Sequence, residues 1–183
     1  MKKINIVIGI TGGIAAYKAC EIVSYYKHKG YNVDVIMTKN ACEFITPLTL
    51  ETLSGNKVVT DMFDRPDHME VEHISLASKA DLFIIVPATA NIIGKVANGI
   101  ADDMLSTTIM ATKAPVIFAP AMNNGMYSNL IVQKNISTLE SFGYKFIEPD
   151  VGHLACGYEA KGRLASKEKI IEYVKKEMKL WKI

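Results

Sequence analysis

The sequence lacks long apolar runs, paired cysteines and a strong charge bias, and each absence excludes a class of protein. No apolar run approaches the ~20 residues of a membrane-spanning helix. The three cysteines lie far apart and form no CxxC pair, which argues against a disulfide framework or a zinc site and fits a reducing cytoplasm. With 21 basic and 19 acidic side chains the net charge is +2, so nothing calls for nucleic acid or an acidic membrane as a partner.

The composition is that of an ordinary globular domain. Apolar residues make up 49% and charged residues 22%, which argues against a disordered chain. A length of 183 residues predicts one domain, residues 1–183, able to bury roughly 70% of its unfolded surface. The apolar run at residues 4–10 breaks at Thr11-Gly12-Gly13, so we interpret it as a first strand rather than a secretion signal.

Short apolar runs alternate with helical patterns along the chain. This alternation predicts an α/β fold, a single Rossmann-like (flavodoxin-like) domain whose mostly parallel sheet carries helices on both faces. The predicted strands are residues 4–10, 31–38, 57–60, 81–87, 115–120 and 144–147. The predicted helices are residues 14–29, 40–54 with an interruption near Pro47, 92–96, 103–112, 128–142 and 166–181. Residues 61–69 and 149–164 are predicted to be long loops, which are often functional.

Two polar segments follow the first two strands and lie at the same predicted edge of the sheet. Gly9-Ile10-Thr11-Gly12-Gly13-Ile14 opens a helix, whose unpaired N–H groups favour a phosphate, although a tight turn without a ligand fits as well. The segment matches neither GxGxxG nor a Walker A loop. Thr38-Lys39-Asn40 offers hydroxyl, ammonium and amide groups that could hold phosphate or ribityl oxygens.

Two later strands end in the same pattern. Each is an apolar run followed by Pro-Ala and then by an asparagine, at residues 84–91 and 117–123. The small alanines leave room, and the amides of Asn91 and Asn123 offer donors and acceptors to a flat heterocycle with polar edges. Two ordinary helix caps are the alternative. The paired carboxylates Asp102 and Asp103 are expected to serve a helix N-terminus.

The candidate acid–base groups are histidines and one cysteine. His73 precedes the strand at residues 81–87 and could lean over the pocket, His68 lies in a predicted loop, and His153 lies three residues before Cys156. Each histidine can equally be structural. Cys156 stands in a glycine-bracketed loop near lysine and arginine, a setting that favours an exposed, acidified thiol.

Taken together, these segments resemble the flavin-dependent cysteine decarboxylases. The resemblance runs from about residue 4 to residue 163 and is most specific at residues 87–91 (Pro-Ala-Thr-Ala-Asn), 120–123 (Pro-Ala-Met-Asn) and 155–157 (Ala-Cys-Gly). It implies FMN as cofactor and a carboxy-lyase of coenzyme A biosynthesis that converts phosphopantothenoylcysteine to phosphopantetheine. Ile92 and Ala160 depart from the threonine and glycine that are usual in the family.

The resemblance also implies roles for individual residues. It implies that His73 and Cys156 are catalytic, with Cys156 as the proton donor, and that no metal takes part. The implied FMN-binding residues are Thr11, Gly12, Gly13, Ile14, Thr38, Lys39, Asn40, Thr89, Ala90, Asn91, Ile92 and Ala121. The implied substrate-binding residues are Met122, Asn123, His153, Ala155 and Leu164.

The implied assembly is a homo-oligomer, a trimer or a trimer-based dodecamer, with flavin sites between subunits. The chain is expected to be the free-standing, cytoplasmic form of the enzyme, with a separate phosphopantothenoylcysteine synthetase as a partner and no nucleic acid or membrane. The alternatives are a peptidyl-cysteine oxidative decarboxylase, a flavin prenyltransferase, a non-catalytic flavin-binding regulatory subunit and a nucleotide-binding Rossmann-like domain of unknown use.

Overall fold

Six parallel strands form the central sheet of the protein, for which we use a computed structural model. The structure describes residues 3–63, 72–153 and 159–183, and for His153 and Glu159 it describes only the backbone. These strands are β1 Asn5–Ile10, β2 Asn32–Met37, β3 Val58–Val59, β4 Leu82–Ala88, β5 Val116–Pro120 and β6 Lys145–Phe146. Their order is β3-β2-β1-β4-β5-β6, and every neighbouring pair is parallel. The order reverses between β1 and β4, and in doubly wound sheets ligands bind beyond the carboxyl ends of the strands at that point.

Helices cover both faces of the sheet, as the alternating pattern predicted. A 3₁₀ turn at Ile14–Lys18 precedes the first of them. The helices are α1 Ala19–His28, α2 Lys39–Cys42, α3 Pro47–Ser54, α4 Glu72–Lys79, α5 Ala90–Ala97, α6 Met104–Ala111, α7 Asn124–Tyr127, α8 Leu130–Ser141 and α9 Lys167–Trp181. One buried core lies under α1, α3 and α9, and a second lies under α4, α5, α6 and α8. The predicted fold class is therefore confirmed.

Local sequence signals explain most of the helix boundaries. Gly30 follows α1 with φ 86°, a left-handed conformation that glycine adopts at little cost. Ser166 begins α9, and its hydroxyl accepts a hydrogen bond from the backbone N–H of Lys169. Pro47 is the first residue of α3, so the predicted helix at residues 40–54 is divided into two. The helix predicted at residues 128–142 corresponds to α8, which Asn129 caps, whereas α7 ends at Tyr127 and was not predicted.

Two further parts of the chain differ from prediction. The loop predicted at residues 149–164 is wrong, because β7 Asp150–His153 and β8 Glu159–Arg163 pair there as an antiparallel hairpin. Helix α4 was not predicted, and it buries only Leu76 and Ala77, which leaves a weak apolar pattern. Of the loop predicted at residues 61–69, only 61–63 are described. Within the described ranges no helix combines the length and the apolarity that a membrane span requires.

A network of amides and carboxylates ties the amino ends of the strands together. The Nδ2 atom of Asn56 donates to the backbone oxygen of Val33 at 2.8 Å and lies 3.2 Å from Asn32 Oδ1 and 3.3 Å from Asp34 Oδ1. Asp34 is buried and pairs with Lys79 at 2.8 Å. This network, which we call the amino-edge network, connects the β3 side of the sheet to α4, on the edge away from the strand carboxyl ends.

Candidate functional site

A cavity of about 1070 Å³ opens at the carboxyl ends of the central strands. Its walls are the segments that follow β1, β2, β3, β4 and β5, together with the end of β8. All twelve residues predicted to hold the cofactor line this cavity, and so do Met122, Asn123 and Leu164. The structure thus brings together segments up to 150 residues apart, while the roles of these residues remain predictions.

The hydroxyl of Thr11 joins the ends of β1 and β4. Thr11 is 2% exposed, and its Oγ1 donates to the backbone oxygen of Pro87 at 2.7 Å. The same oxygen accepts from the backbone N–H of Thr89 at 3.1 Å. Both bonds engage the hydroxyl inside the protein, so the Thr11 side chain shapes the turn, and only the rest of the residue faces the cavity.

Gly12 and Gly13 lie side by side but have different surroundings. A Cβ atom on Gly12 would overlap the Cβ of Asn40 and lie 2.8 Å from that residue's backbone carbon and oxygen. A Cβ atom on Gly13 would meet nothing closer than Thr89 Cγ2 at 3.8 Å. The absence of a side chain at Gly12 therefore lets the turns after β1 and β2 touch, whereas Gly13 borders open space.

Thr38 and Lys39 form the wall that follows β2. The Oγ1 atom of Thr38 accepts from the backbone N–H of Ala41 at 3.3 Å and caps α2. The ammonium of Lys39, predicted to meet phosphate, lies 2.9 Å from Asp61 Oδ2. The hydrogen bond from Lys39 holds the pKa of the Asp61 carboxyl below its usual range. Lys39 thus already has an acidic partner at the cavity wall.

The two Pro-Ala strand ends lie next to each other, as their likeness in sequence predicted. Ala88 is the register partner of Pro120, and the backbone N–H of Ala121 donates to Ala88 O at 3.1 Å. Asn123 caps α7 by accepting from the backbone N–H of Gly125 at 2.8 Å, so the helix-cap alternative holds for this asparagine. It does not hold for Asn91, which lies inside α5 and is exposed.

A cluster of one lysine and two aspartates lines a further part of the wall. The Lys95 ammonium lies 2.7 Å from both Asp102 Oδ1 and Asp103 Oδ2. Asp103 also forms a capping box with Ser106 at the start of α6, as expected for carboxylates at a helix N-terminus. Burial alone would raise the pKa of Asp103, but the hydrogen bonds from Lys95 and Ser106 hold it below its usual value. Lys95 could not be recognised from the sequence, because its two partners lie seven and eight residues away along the chain.

The β7–β8 hairpin is attached to the strand end at Met122. Gly162 has φ 136°, and its carbonyl accepts from the backbone N–H of Met122 at 2.9 Å. A Cβ atom on Gly162 would overlap the carbonyl oxygen of Met122. Beside this contact Lys161 pairs with Glu148, and its ammonium lies 5.7 Å from the centre of the Tyr127 ring. The end of β8 is therefore fixed against the cavity wall.

Replacing Gly162 by alanine is expected to detach the hairpin. Overlap with Met122 adds to the cost of a positive φ, so we expect the free energy of unfolding to fall by about 3 kcal/mol. Gly143 is the matched control, because it has φ 93° and no atom within 4 Å of an added Cβ. Gly143→Ala should cost only about 1 kcal/mol. Urea denaturation of both variants measures the difference, and equal losses would contradict the contact.

Of the two predicted catalytic residues the structure describes only the histidine. His73 lies in the first turn of α4, is half-buried, and is not among the described residues that line the cavity. Ala155, Cys156 and the side chain of His153 lie outside what the structure describes. The assignments of these four residues stay predictions.

Comparison with known sequences identifies the family of this chain. The sequence profile named Flavoprotein matches residues 1–179. The chain is 56% identical to the coenzyme A biosynthesis bifunctional protein CoaBC of Borreliella burgdorferi over 176 residues, 96% of this chain and 45% of that protein. It is 42% identical to the probable phosphopantothenoylcysteine decarboxylase of Streptococcus mutans over 176 residues, 95% of this chain and 98% of that one. The chain thus spans less than half the length of the bifunctional relatives but nearly all of the second protein.

Solved structures share the fold along nearly the whole chain. A cysteine-to-serine mutant of PPC decarboxylase complexed with pantothenoylaminoethenethiol superposes with a TM-score of 0.85 and 27% identity, covering 100% of both chains. The FMN-dependent cysteine decarboxylase SpaF superposes with a TM-score of 0.81 and 30% identity, covering 93% of this chain and 94% of that one.

Proposed function

Because the chain belongs to the Flavoprotein family, we propose that it binds FMN and decarboxylates phosphopantothenoylcysteine to phosphopantetheine in coenzyme A biosynthesis. The observation that carries the proposal is the match to the Streptococcus mutans decarboxylase over 98% of its length. The gathering of the family's expected cofactor residues around one cavity agrees with it.

The residues of the cavity fit a flavin mononucleotide. A volume of about 1070 Å³ is slightly above the range of about 300–1,000 Å³ typical of ligand pockets, which leaves room for a cofactor and the reacting end of a substrate. The polar turns at Gly13 and Thr38 suit the phosphate and ribityl oxygens. Ile92, in the first turn of α5, and Ala121, at the end of β5, supply apolar surface for the ring.

The reaction needs an electron sink that the substrate does not contain. A carboxylate derived from cysteine has no neighbouring group to accept the electron pair that CO₂ leaves behind. FMN, when bound, supplies a reversible two-electron acceptor, so that the CH₂–SH carbon is oxidised to a thioaldehyde before CO₂ departs and the product is reduced again afterwards. The electron pair released by CO₂ then flows into the C=S bond, giving an ene-thiol.

The side chains of this protein bind the substrate and move its protons. We assign Asn123 to the substrate carboxylate, since its hydrogen bond with Gly125 fixes the amide at the cavity edge. His73 takes the thiol proton. Cys156 gives a proton to carbon when the ene-thiol is reduced, and it lies on the chain between β7 and β8, the hairpin attached at Met122.

A trimer-based assembly with sites between subunits accounts for the position of His73. Helix α4 does not place this histidine among the described residues that line its own chain's cavity, which favours an arrangement in which a neighbouring copy brings the imidazole to the flavin. We also propose one domain, residues 1–183, acting in the cytoplasm beside a separate synthetase. The bifunctional relatives support the last point, because their name describes two activities of coenzyme A biosynthesis in one chain.

The Cys156→Ser variant tests the proposed order of steps. The unaltered protein should be yellow and should convert phosphopantothenoylcysteine to a saturated product that is lighter by one CO₂. The variant should still release CO₂ but accumulate the unsaturated ene-thiol, because oxidation and decarboxylation precede the step that needs the thiol. Mass spectrometry of both reactions, with Cys20→Ser as the control, measures the two products. Equal saturated product from Cys156→Ser and the unaltered protein would refute the donor role.

A peptidyl-cysteine oxidative decarboxylase is the second candidate, favoured by the superposition on SpaF. Such an enzyme would release CO₂ from a peptide ending in cysteine and would stop at the ene-thiol. Incubation of the unaltered protein with such a peptide and with phosphopantothenoylcysteine, in separate reactions, distinguishes the two functions.

A further inference from the structure

A second cavity adjoins the first. Its volume is about 450 Å³, and it lies between the 3₁₀ turn, the β7–β8 hairpin and the start of α9. The two cavities share four lining residues, Tyr17, Lys18, Arg163 and Leu164. Two of the four are cations, so positive charge is concentrated where the cavities meet.

The other cations that line the first cavity are engaged by carboxylates. Lys39 pairs with Asp61, and Lys95 pairs with Asp102 and Asp103. By contrast, neither Lys18 nor Arg163 has a carboxylate oxygen within 4 Å among the residues that the structure describes.

The described neighbours of Lys18 and Arg163 include an aromatic ring and a glycine. The Lys18 ammonium lies 5.9 Å from the centre of the Tyr17 ring, and Lys18 itself is half-buried. Arg163 lies against Gly152 on the opposite strand, where an added Cβ would be 3.0 Å from Nη1 and 3.1 Å from Cδ. The missing side chain at Gly152 therefore gives the arginine room to lie across the hairpin.

The acids of the second cavity form their hydrogen bonds and ion pairs with groups other than these two cations, although Asp150, the cross-strand partner of Arg163, also interacts with it electrostatically at longer range. Glu21 pairs with Lys167 at 3.6 Å. Asp150 accepts from the backbone N–H of Ser166 at 2.9 Å and from Lys169 at 2.7 Å. The third acid, Glu168, is exposed on the first turn of α9.

We propose that Lys18 and Arg163 form the subsite for the phosphate of the substrate. The inference rests on the proposed function and extends it, because the substrate carries its phosphate at the end opposite the reacting cysteine. The phosphate of the cofactor is assigned to the turns after β1 and β2, so a second phosphate needs its own cations. Lysine and arginine bind phosphate oxygens through charge-assisted hydrogen bonds, and the shared wall lets the substrate reach from the first cavity to this junction.

Paired substrates isolate the contribution of the phosphate. The ratio of kcat/KM for phosphopantothenoylcysteine to that for phosphate-free pantothenoylcysteine is measured by CO₂ release with the holoenzyme. Lys18→Gln and Arg163→Gln should each lower this ratio by about tenfold. Lys57→Gln is the matched control, because Lys57 is an exposed lysine just before the amino end of β3 and lines neither cavity. Its ratio should equal that of the unaltered protein.

The possible results distinguish failure of the phosphate subsite from failure of the proposed function. If the ratio in both variants equals that of the unaltered protein, the subsite is overturned, because the substitutions would then affect both substrates alike. Loss of FMN from Lys18→Gln with the ratio intact would also overturn it and would assign the lysine to the cofactor phosphate. If the unaltered protein releases CO₂ from neither substrate, the proposed function itself fails; if it turns over both equally well, only the subsite fails.

A competition experiment with the unaltered protein covers the case in which a variant does not fold. Inorganic phosphate should raise KM for phosphopantothenoylcysteine and leave KM for the phosphate-free substrate unchanged. Equal inhibition of both substrates would contradict the subsite.

Discussion

Gly12→Val is expected to weaken FMN binding by about 10- to 100-fold, because forcing extra atoms into a packed contact costs about 1–3 kcal/mol. The new side chain would overlap Asn40 at its Cβ and crowd its backbone, so the turns after β1 and β2 must separate. Both turns are assigned to the flavin phosphate and ribityl chain. Flavin absorbance per polypeptide after gel filtration, and titration of FMN into the apoprotein, measure the loss.

A glycine outside the cavity lining supplies the control. Gly94→Ala, within α5, places a methyl group 3.7 Å from Asn135 Nδ2, an ordinary van der Waals distance, and should retain FMN within a few-fold of the unaltered affinity. Circular dichroism of both variants checks that the sheet is intact. Full flavin content in Gly12→Val would mean that contact between the two turns is not needed for the cofactor.

His73→Asn is expected to lower turnover by at least about 100-fold while leaving FMN bound, since a positioned acid–base group contributes about 10²–10⁴-fold. His73 lies on α4 and is not among the described residues that line the cavity, so flavin retention should not change. The control is His28→Asn, because His28 is exposed on α1 and its ring Nδ1 lies 2.7 Å from the backbone oxygen of Ser24. CO₂ release at saturating substrate measures both variants, and normal turnover of His73→Asn removes this histidine from the mechanism.

Mixed assemblies test whether His73 serves a neighbouring subunit. Gly12→Val chains carry the histidine but bind flavin poorly, whereas His73→Asn chains bind flavin and lack the histidine. Co-assembled chains should recover part of the activity that each variant lacks alone, because some sites combine a bound flavin with an intact imidazole. No recovery in verified mixed oligomers would place the histidine and the flavin within one chain.

The sequence predicts the cofactor wall well because that wall follows from chain topology. Buried parallel strands appear as continuous apolar runs, and the segments that follow them must meet at one edge of the sheet. Thr11, Thr38, Thr89 and Ala121 are distant along the chain, yet each directly follows a strand, so a one-dimensional pattern is enough to group them. The close approach of Gly12 to Asn40 could not be predicted, because it depends on the distance between two turns.

The β7–β8 hairpin and the Lys18–Arg163 pair are poorly predicted from the sequence, for a different reason. β8 reads Glu-Ala-Lys-Gly-Arg, a strand without apolar alternation, and it is fixed by the backbone contact of Gly162 with Met122. Lys18 follows four residues of helical pattern, so in the sequence it resembles any solvated lysine. Its position in the lining of the second cavity is what makes it a candidate ligand. Tertiary contacts of this kind leave no periodic signal.

The amino-edge network lies on the opposite edge of the sheet from the cavity, and this separation is expected to make heat tolerance and cofactor affinity independent traits of the chain. Substitutions at well-separated sites without shared partners have additive effects. A change such as Asn56→Ala, which removes a donor shared by three acceptors, should therefore lower the melting temperature without changing the affinity for FMN at moderate temperature. The stability of the sheet can then be altered at this edge while the cofactor cavity stays the same.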